Sequence, residues 1–165
     1  MLKELQFLEK AKEAVSDQAW LTAEAEIGFR LPDVFREFCK TYNGGIPTLQ
    51  YELYPVPDLF LEFREEYGPN SKGIIAERLY GLRADRKSCD ALSEFRSLRD
   101  NLEIALFPIS EDIFGNQVVI TPEDPDGIVY FRDHELWDKE GKPVLFPIAY
   151  SLEQFYNGLS ENSEE

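Results

Sequence analysis

Residues 31–45 read Leu31-Pro32-Asp33-Val34-Phe35-Arg36-Glu37-Phe38-Cys39-Lys40-Thr41-Tyr42-Asn43-Gly44-Gly45, and this stretch constrains the fold most. Proline fits the first turn of a helix because the N–H it lacks would have had no partner there. Val34, Phe35, Phe38, Cys39 and Tyr42 recur at the spacing of one helix face, and Asp33, Arg36, Glu37 and Lys40 fall on the other. The acids come early and the lysine late, as the helix dipole prefers. Asn43-Gly44-Gly45 then stops the helix, since both residue types tolerate left-handed backbone. A short helix with an aromatic face must bury that face against a sheet or another helix.

The rest of the chain supplies the partners. Leu5, Leu8, Ala11 and Val15 form a stripe that predicts a helix over 3–17. A second short helix is expected from Thr22 to Ile27, with Gly28 as its stop. Residues 48–56 hold β-formers between prolines and predict a strand near a sheet edge. Residues 58–67 fit a strand or a helix equally. Gly68 to Gly73 is a loop, and a strand is expected within 74–82. Arg83 to Ser88 reads as a basic turn, followed by a helix over 90–99 with Leu92, Phe95 and Leu98 inward. Three strands then follow at 104–110, 117–121 and 128–132. Phe114-Gly115-Asn116 separates the first two, and the acidic turn 122–127 separates the last two. That is an antiparallel meander. Residues 136–143 are a polar excursion, 144–149 a further short strand, and Ser151 caps a last helix over 152–159. The expected fold class is α+β: one domain, with a four- to six-stranded, mainly antiparallel sheet packed against N-terminal and C-terminal helices. Residues 1–160 form the domain and 161–165 a flexible acidic tail.

Charge narrows the partners. The formal net charge is −15, and residues 100–165 carry 15 acids against three bases. Such a field repels phosphates, so nucleic acid and anionic membrane surfaces are disfavoured and a cationic partner is favoured. Residues 72–99 are the exception, with seven bases against four acids. Their main reading is a solvated face, and an anion-docking region is the second. Two cysteines, no apolar run of membrane-spanning length and no leader-like start fit a reduced cytoplasmic setting.

Several pieces together resemble the SUKH superfamily, the domain of the fungal cell-wall-assembly regulator and of many bacterial immunity proteins. They are the Glu24/Glu26…Gly28…Leu31-Pro32 lead-in, Asn43-Gly44-Gly45 and Leu79-Tyr80-Gly81-Leu82. The meander from Pro108-Ile109 through Gly115-Asn116 and Asp126-Gly127-Ile128 follows, and then the Ser151…Phe155 helix. The resemblance implies a SUKH-like fold and an immunity protein that binds and neutralises a cognate toxin domain. A basic toxin, such as a nuclease, suits the charge. The alternative it implies is a regulatory adaptor that binds a host protein. A monomer or weak dimer is expected.

Chemistry finds little footing. His134, beside Asp133 and Glu135, is the one histidine and has no nucleophile motif near it. Zinc spacings and phosphate-cradling glycine motifs are absent from the sequence, and Asp124-Pro125-Asp126-Gly127 lacks the register of a calcium loop. The chain is therefore expected to be no enzyme, with no catalytic residues, no cofactor and no metal. The candidate partner-binding residues are Asp112, Glu123, Asp124, Asp126, Asp133, Glu135 and Trp137, acids with an aromatic anchor.

Overall fold

The structure is a computed structural model that describes residues 2–162. In chain order its elements are β1 (Phe7–Lys10), α1 (Asp17–Ile27), α2 (Asp33–Thr41), β2 (Gly45–Pro47), β3 (Leu53–Tyr54), α3 (Leu61–Tyr67), β4 (Ile74–Ile75) and β5 (Arg78–Leu79). Then follow α4 (Ala91–Leu102), β6 (Phe107–Glu111), β7 (Gln117–Ile120), β8 (Val129–Trp137), β9 (Pro143–Ala149) and α5 (Leu152–Gly158). Seven strands form one antiparallel sheet in the order β1-β2-β5-β6-β7-β8-β9, and β3-β4 is a separate ribbon. The α+β class and the C-terminal meander are as expected. The sheet has one strand more than the expected maximum of six.

The helix of 31–45 forms as its pattern demands. Phe35, Phe38 and Cys39 are fully buried. Phe38 stacks on Tyr156 of α5 at 4.5 Å and 12°, and Phe35 meets Phe107 of β6 edge-on at 5.4 Å. Burial pushes the Cys39 thiol far above its usual pKa, so it acts as a small apolar filler. The stop does more than end the helix. Asn43, in left-handed backbone at φ 53°, donates from Nδ2 to the Leu82 carbonyl (3.0 Å) and accepts the Leu82 N–H on Oδ1 (2.8 Å). A side-chain amide thus pairs with distant backbone as a neighbouring strand would.

Three expectations need correction. The helix over 3–17 is not formed: residues 7–10 are a strand, and α1 starts at Asp17 with Ser16 as its N-cap. Leu8, one of the stripe residues, is 75% exposed. Tertiary pairing overrides the helical pattern. Phe7 and Lys10 align with Pro47 and Gly45, the Phe7 ring packs against Tyr42 at 5.1 Å, and Glu9 pairs with Arg83 at 2.7 Å. The strand expected over 48–56 is a single turn of 3-10 helix (Leu49–Tyr51) followed by two strand residues that join the ribbon. The main sheet takes Gly45–Pro47 in its place, three residues too few to carry a readable period. Residues 136–143 are less of an excursion than expected, because β8 runs to Trp137 and β9 starts at Pro143. The ambiguous segment resolves as α3, which lays Phe63 and Tyr67 on Phe131.

Residues 160–162 continue from α5 along the ribbon. Ser160 N–H donates to Leu53 O at 2.7 Å and Asn162 N–H to Leu49 O at 2.9 Å. The rest of the expected flexible tail, 163–165, lies outside the described residues. Among the described residues no helix is long and apolar enough to cross a membrane.

Alternate residues of the meander feed two layers. Val118, Ile120, Val129 and Phe131 enter the large core under α2, α3 and α5. Val119 enters a small second cluster with Leu98, Ile104 and Leu106 at the end of α4, and Tyr130 and Leu145 pack against it. Gly45 fixes the seam between β1 and β2. Its φ is +141°, and a Cβ there would lie 1.9 Å from the Glu9 carbonyl oxygen. Gly45→Ala should therefore cost about 3 kcal/mol or more, read as a lower urea midpoint. An unchanged midpoint would mean that this seam carries no such constraint.

Candidate partner-binding surface

The basic stretch 72–99 is used mostly within the chain. Arg83 is 2% exposed and bonds Glu9 at 2.7 Å and Asp85 at 2.8 Å. Burial opposes its charge, yet these two acids hold its pKa above the usual arginine value. Arg78 lies 3.7 Å from Glu111, and Arg96 reaches Glu26 of α1 with two short hydrogen bonds. Arg99 pairs with Asp100 at 2.8 Å. Asp90 caps α4, accepting Ser93 N–H, and also accepts Arg83 N–H. The turn expected to be solvated is thus anchored through a buried arginine.

The acids of the C-terminal half remain outward, and the meander sorts them by end. In an antiparallel run the β6-β7 and β8-β9 turns share one end and the β7-β8 turn lies at the other. Asp112, Asp133, Glu135 and Trp137 belong to the first end. Glu123, Asp124 and Asp126, all exposed, belong to the second. The regular part of β8, Val129 to Arg132, runs between the ends and sets them at least about 10 Å apart at ~3.3 Å per residue. The seven candidate residues are therefore brought together as two sets, not one.

The first end has a built structure. The Asp112 carboxylate accepts the N–H groups of Phe114 (2.8 Å) and Asn116 (2.9 Å) and the Asn116 side-chain amide (3.2 Å). This closes the turn from inside and leaves Ile113 and Phe114 65% and 70% exposed at its tip. Asn116 Oδ1 in turn accepts the His134 N–H at 3.1 Å and lies 2.7 Å from the His134 ring nitrogen Nδ1. The one histidine is thereby tied to the turn. Asp133 accepts the Tyr67 hydroxyl at 2.7 Å, and that burial and hydrogen bond push the Tyr67 pKa well up. Between α3, the ribbon and the turn lies an apolar cleft of about 290 Å³, lined by Phe63, Tyr67, Ile74, Ile75, Ile113 and Phe114 among others. Among the described residues no group of three or more His, Cys, Asp or Glu is placed to hold a metal ion.

Ile113, Phe114 and the cleft were not among the residues picked from the sequence. The signal was present: two apolar residues sit inside an Asp-to-Asn turn, where polar residues normally stand. An apolar tip beside an apolar cleft, rimmed by carboxylates, has the make-up of an interaction patch.

The sequence pattern of the SMI1 / KNR4 family (SUKH-1) matches residues 14–158, most of the chain. The chain belongs to this family. The SUKH-1 match covers α1, the 31–45 helix with its Asn-Gly-Gly stop, the meander and α5. A similar protein is the SPbeta prophage-derived uncharacterized protein YokK of Bacillus subtilis (strain 168), 28% identical over 151 residues, which cover 86% of this chain and 73% of that protein.

If the turn tip faces a partner and not the core, its residues contribute nothing to folding. Phe114→Ala should then shift stability by less than about 0.5 kcal/mol. Phe63→Ala, on the cleft's buried floor, should cost about 3–5 kcal/mol. Equal losses in chemical denaturation would place Phe114 in the core's account after all.

Proposed function

We propose that this SUKH-1 protein is an immunity protein that binds and neutralises a cognate toxin domain through the acid-rimmed end of its meander. The observation that carries the reading is the Ile113-Phe114 tip, held open by Asp112 beside the apolar cleft. Family membership and the prophage origin of the related protein support it. Capturing a toxin needs a stable complementary surface and no catalytic group. The Asp133 and Glu135 side and the field of the acidic C-terminal half steer a basic partner, such as a nuclease, toward that end. The apolar tip and Trp137 then supply the desolvated anchor. Binding takes place in the cytoplasm, the chain acting as a monomer or weak dimer. Glu123, Asp124 and Asp126, at the far end, add to the steering field without touching the partner.

A second reading is a regulatory adaptor that grips a host protein with the same surface. It draws on the other named branch of the family, the fungal cell-wall-assembly regulator.

Where a toxin domain is encoded beside this gene, co-expression of the two should restore growth. Phe114→Asp should abolish the rescue while the protein stays folded, and Asp124→Lys with Asp126→Lys should preserve it. Continued killing by the toxin in the presence of the unaltered chain, or full rescue by Phe114→Asp, would contradict the proposal. A gene without a toxin neighbour would turn the balance to the adaptor.

A further inference from the structure

The first end of the meander has a second face, and it holds an arginine whose charge the chain does not balance directly. Arg132 is 4% exposed. Alternation along β8 puts it on the side of Tyr130, opposite the cleft. The only hydrogen bond of its side chain among the described residues is a long one, 3.3 Å from Nη1 to Gln117 Oε1. Its Nε–H is buried with no acceptor. No carboxylate of the described residues forms an ion pair with it.

The two acids near it are occupied elsewhere. Asp133 accepts from Tyr67 and from the Glu135 N–H. Glu94 is engaged by the Gln117 amide at 3.1 Å and acts on Arg132 through its charge, without a hydrogen bond to it. Burial lowers the arginine's pKa from its usual value, and the charges of Asp133 and Glu94 only partly offset this. An arginine so placed is unfavourable, because a buried cation is normally paired and its five donors normally filled.

The strand departs from regularity at the same place. Arg132 pairs with Leu145, but the next aligned pair is Trp137 with Pro143. Four residues, 133–136, thus arch out opposite the single residue Val144. Bulges of this kind re-aim side chains and cluster at working sites. This one brings the Trp137 ring to 5.6 Å from the Arg132 guanidinium carbon, with the indole itself 41% exposed.

We infer that Arg132, under the Trp137 indole, is a seat for a carboxylate side chain, Asp or Glu, presented by the bound protein. Guanidinium and carboxylate match as a two-pronged pair, and the indole stacks over the charged plane. Because Nε is buried and the indole covers the guanidinium, the carboxylate enters only as the part-exposed Trp137 ring swings aside. It would satisfy Nε–H and leave the Gln117 contact in place. On a partner drawn in by positive charge, one required acid is a device for specificity, since a wrong partner would leave Arg132 buried and unpaired. That the carboxylate comes from a protein rests on the proposed function. The seat itself does not, and it can be tested without a toxin.

The probe is a capped tripeptide, acetyl-Ala-Glu-Ala-amide, titrated into the 15N-labelled full chain at constant ionic strength. Acetyl-Ala-Gln-Ala-amide is the control. The Arg132 Nε–H and Trp137 indole N–H signals should shift saturably with the Glu peptide and stay still with the Gln peptide. In Arg132→Gln the Trp137 shift should vanish. Arg132→Met should melt at the same temperature as the native chain or higher, because an unpaired buried charge is removed and its apolar stem kept. No shift with the Glu peptide, equal shifts with both peptides, or a fall of several degrees in Arg132→Met would overturn the inference. A positive titration with failed toxin rescue would instead keep the seat and remove the immunity reading.

Discussion

The stacking of Phe38 on Tyr156, with Phe35 set edge-on to Phe107, is the contact on which the architecture depends. It joins the second helix to the last one and both to the middle of the sheet. Aromatic pairs of this kind add to the large apolar area they bury. Around it the chain closes by two less obvious devices. Asn43 pairs with Leu82 as if it were backbone, and Arg83 draws Glu9 and Asp85 together beneath the same loop. The short first strands, two to four residues each, are held by these side chains as much as by their own ladder.

This division of labour explains the charge pattern. Most of the arginines of the middle segment bond acids from other parts of the chain, among them Glu9, Glu26 and Glu111. Those acids are thereby neutralised locally. Apart from Asp100 and Glu111, the acids of the last 66 residues face far fewer bases, and most of them stay uncompensated on the turns of the meander. The excess negative field is thus produced by a rigid sheet, which gives it fixed geometry. Arg132 is the one base of that region set deep in the sheet, and it lacks the direct partner its counterparts have.

Much of the fold was legible, for identifiable reasons. The 31–45 helix has a strong period, a proline start and a glycine stop. The meander has β-branched runs divided by turn residues, and α4 and α5 have capping residues at Asp90 and Ser151. What misled was local pattern without tertiary knowledge. The Leu5–Val15 stripe has helical spacing, but its Phe7 and Glu9 find better partners in a strand. Strands such as Gly45–Pro47 are too short to carry a period. At the surface, Asp112, Asp133, Glu135 and Trp137 were readable as acids and an aromatic of one region. Their separation from Glu123, Asp124 and Asp126 was not, because it depends on which turns share an end of the sheet. The tip at Ile113 and Phe114 was hidden by reading the segment as a turn and no more.

The proposed partner surface is a fixed sheet end and not the basic stretch 72–99. Hydrogen exchange of the chain alone and in complex with the toxin domain tests this most directly. Slowed exchange at 111–116 and 132–137, with 122–127 unchanged, is the predicted result. Protection confined to 82–97, with the meander turns exchanging as before, would contradict it.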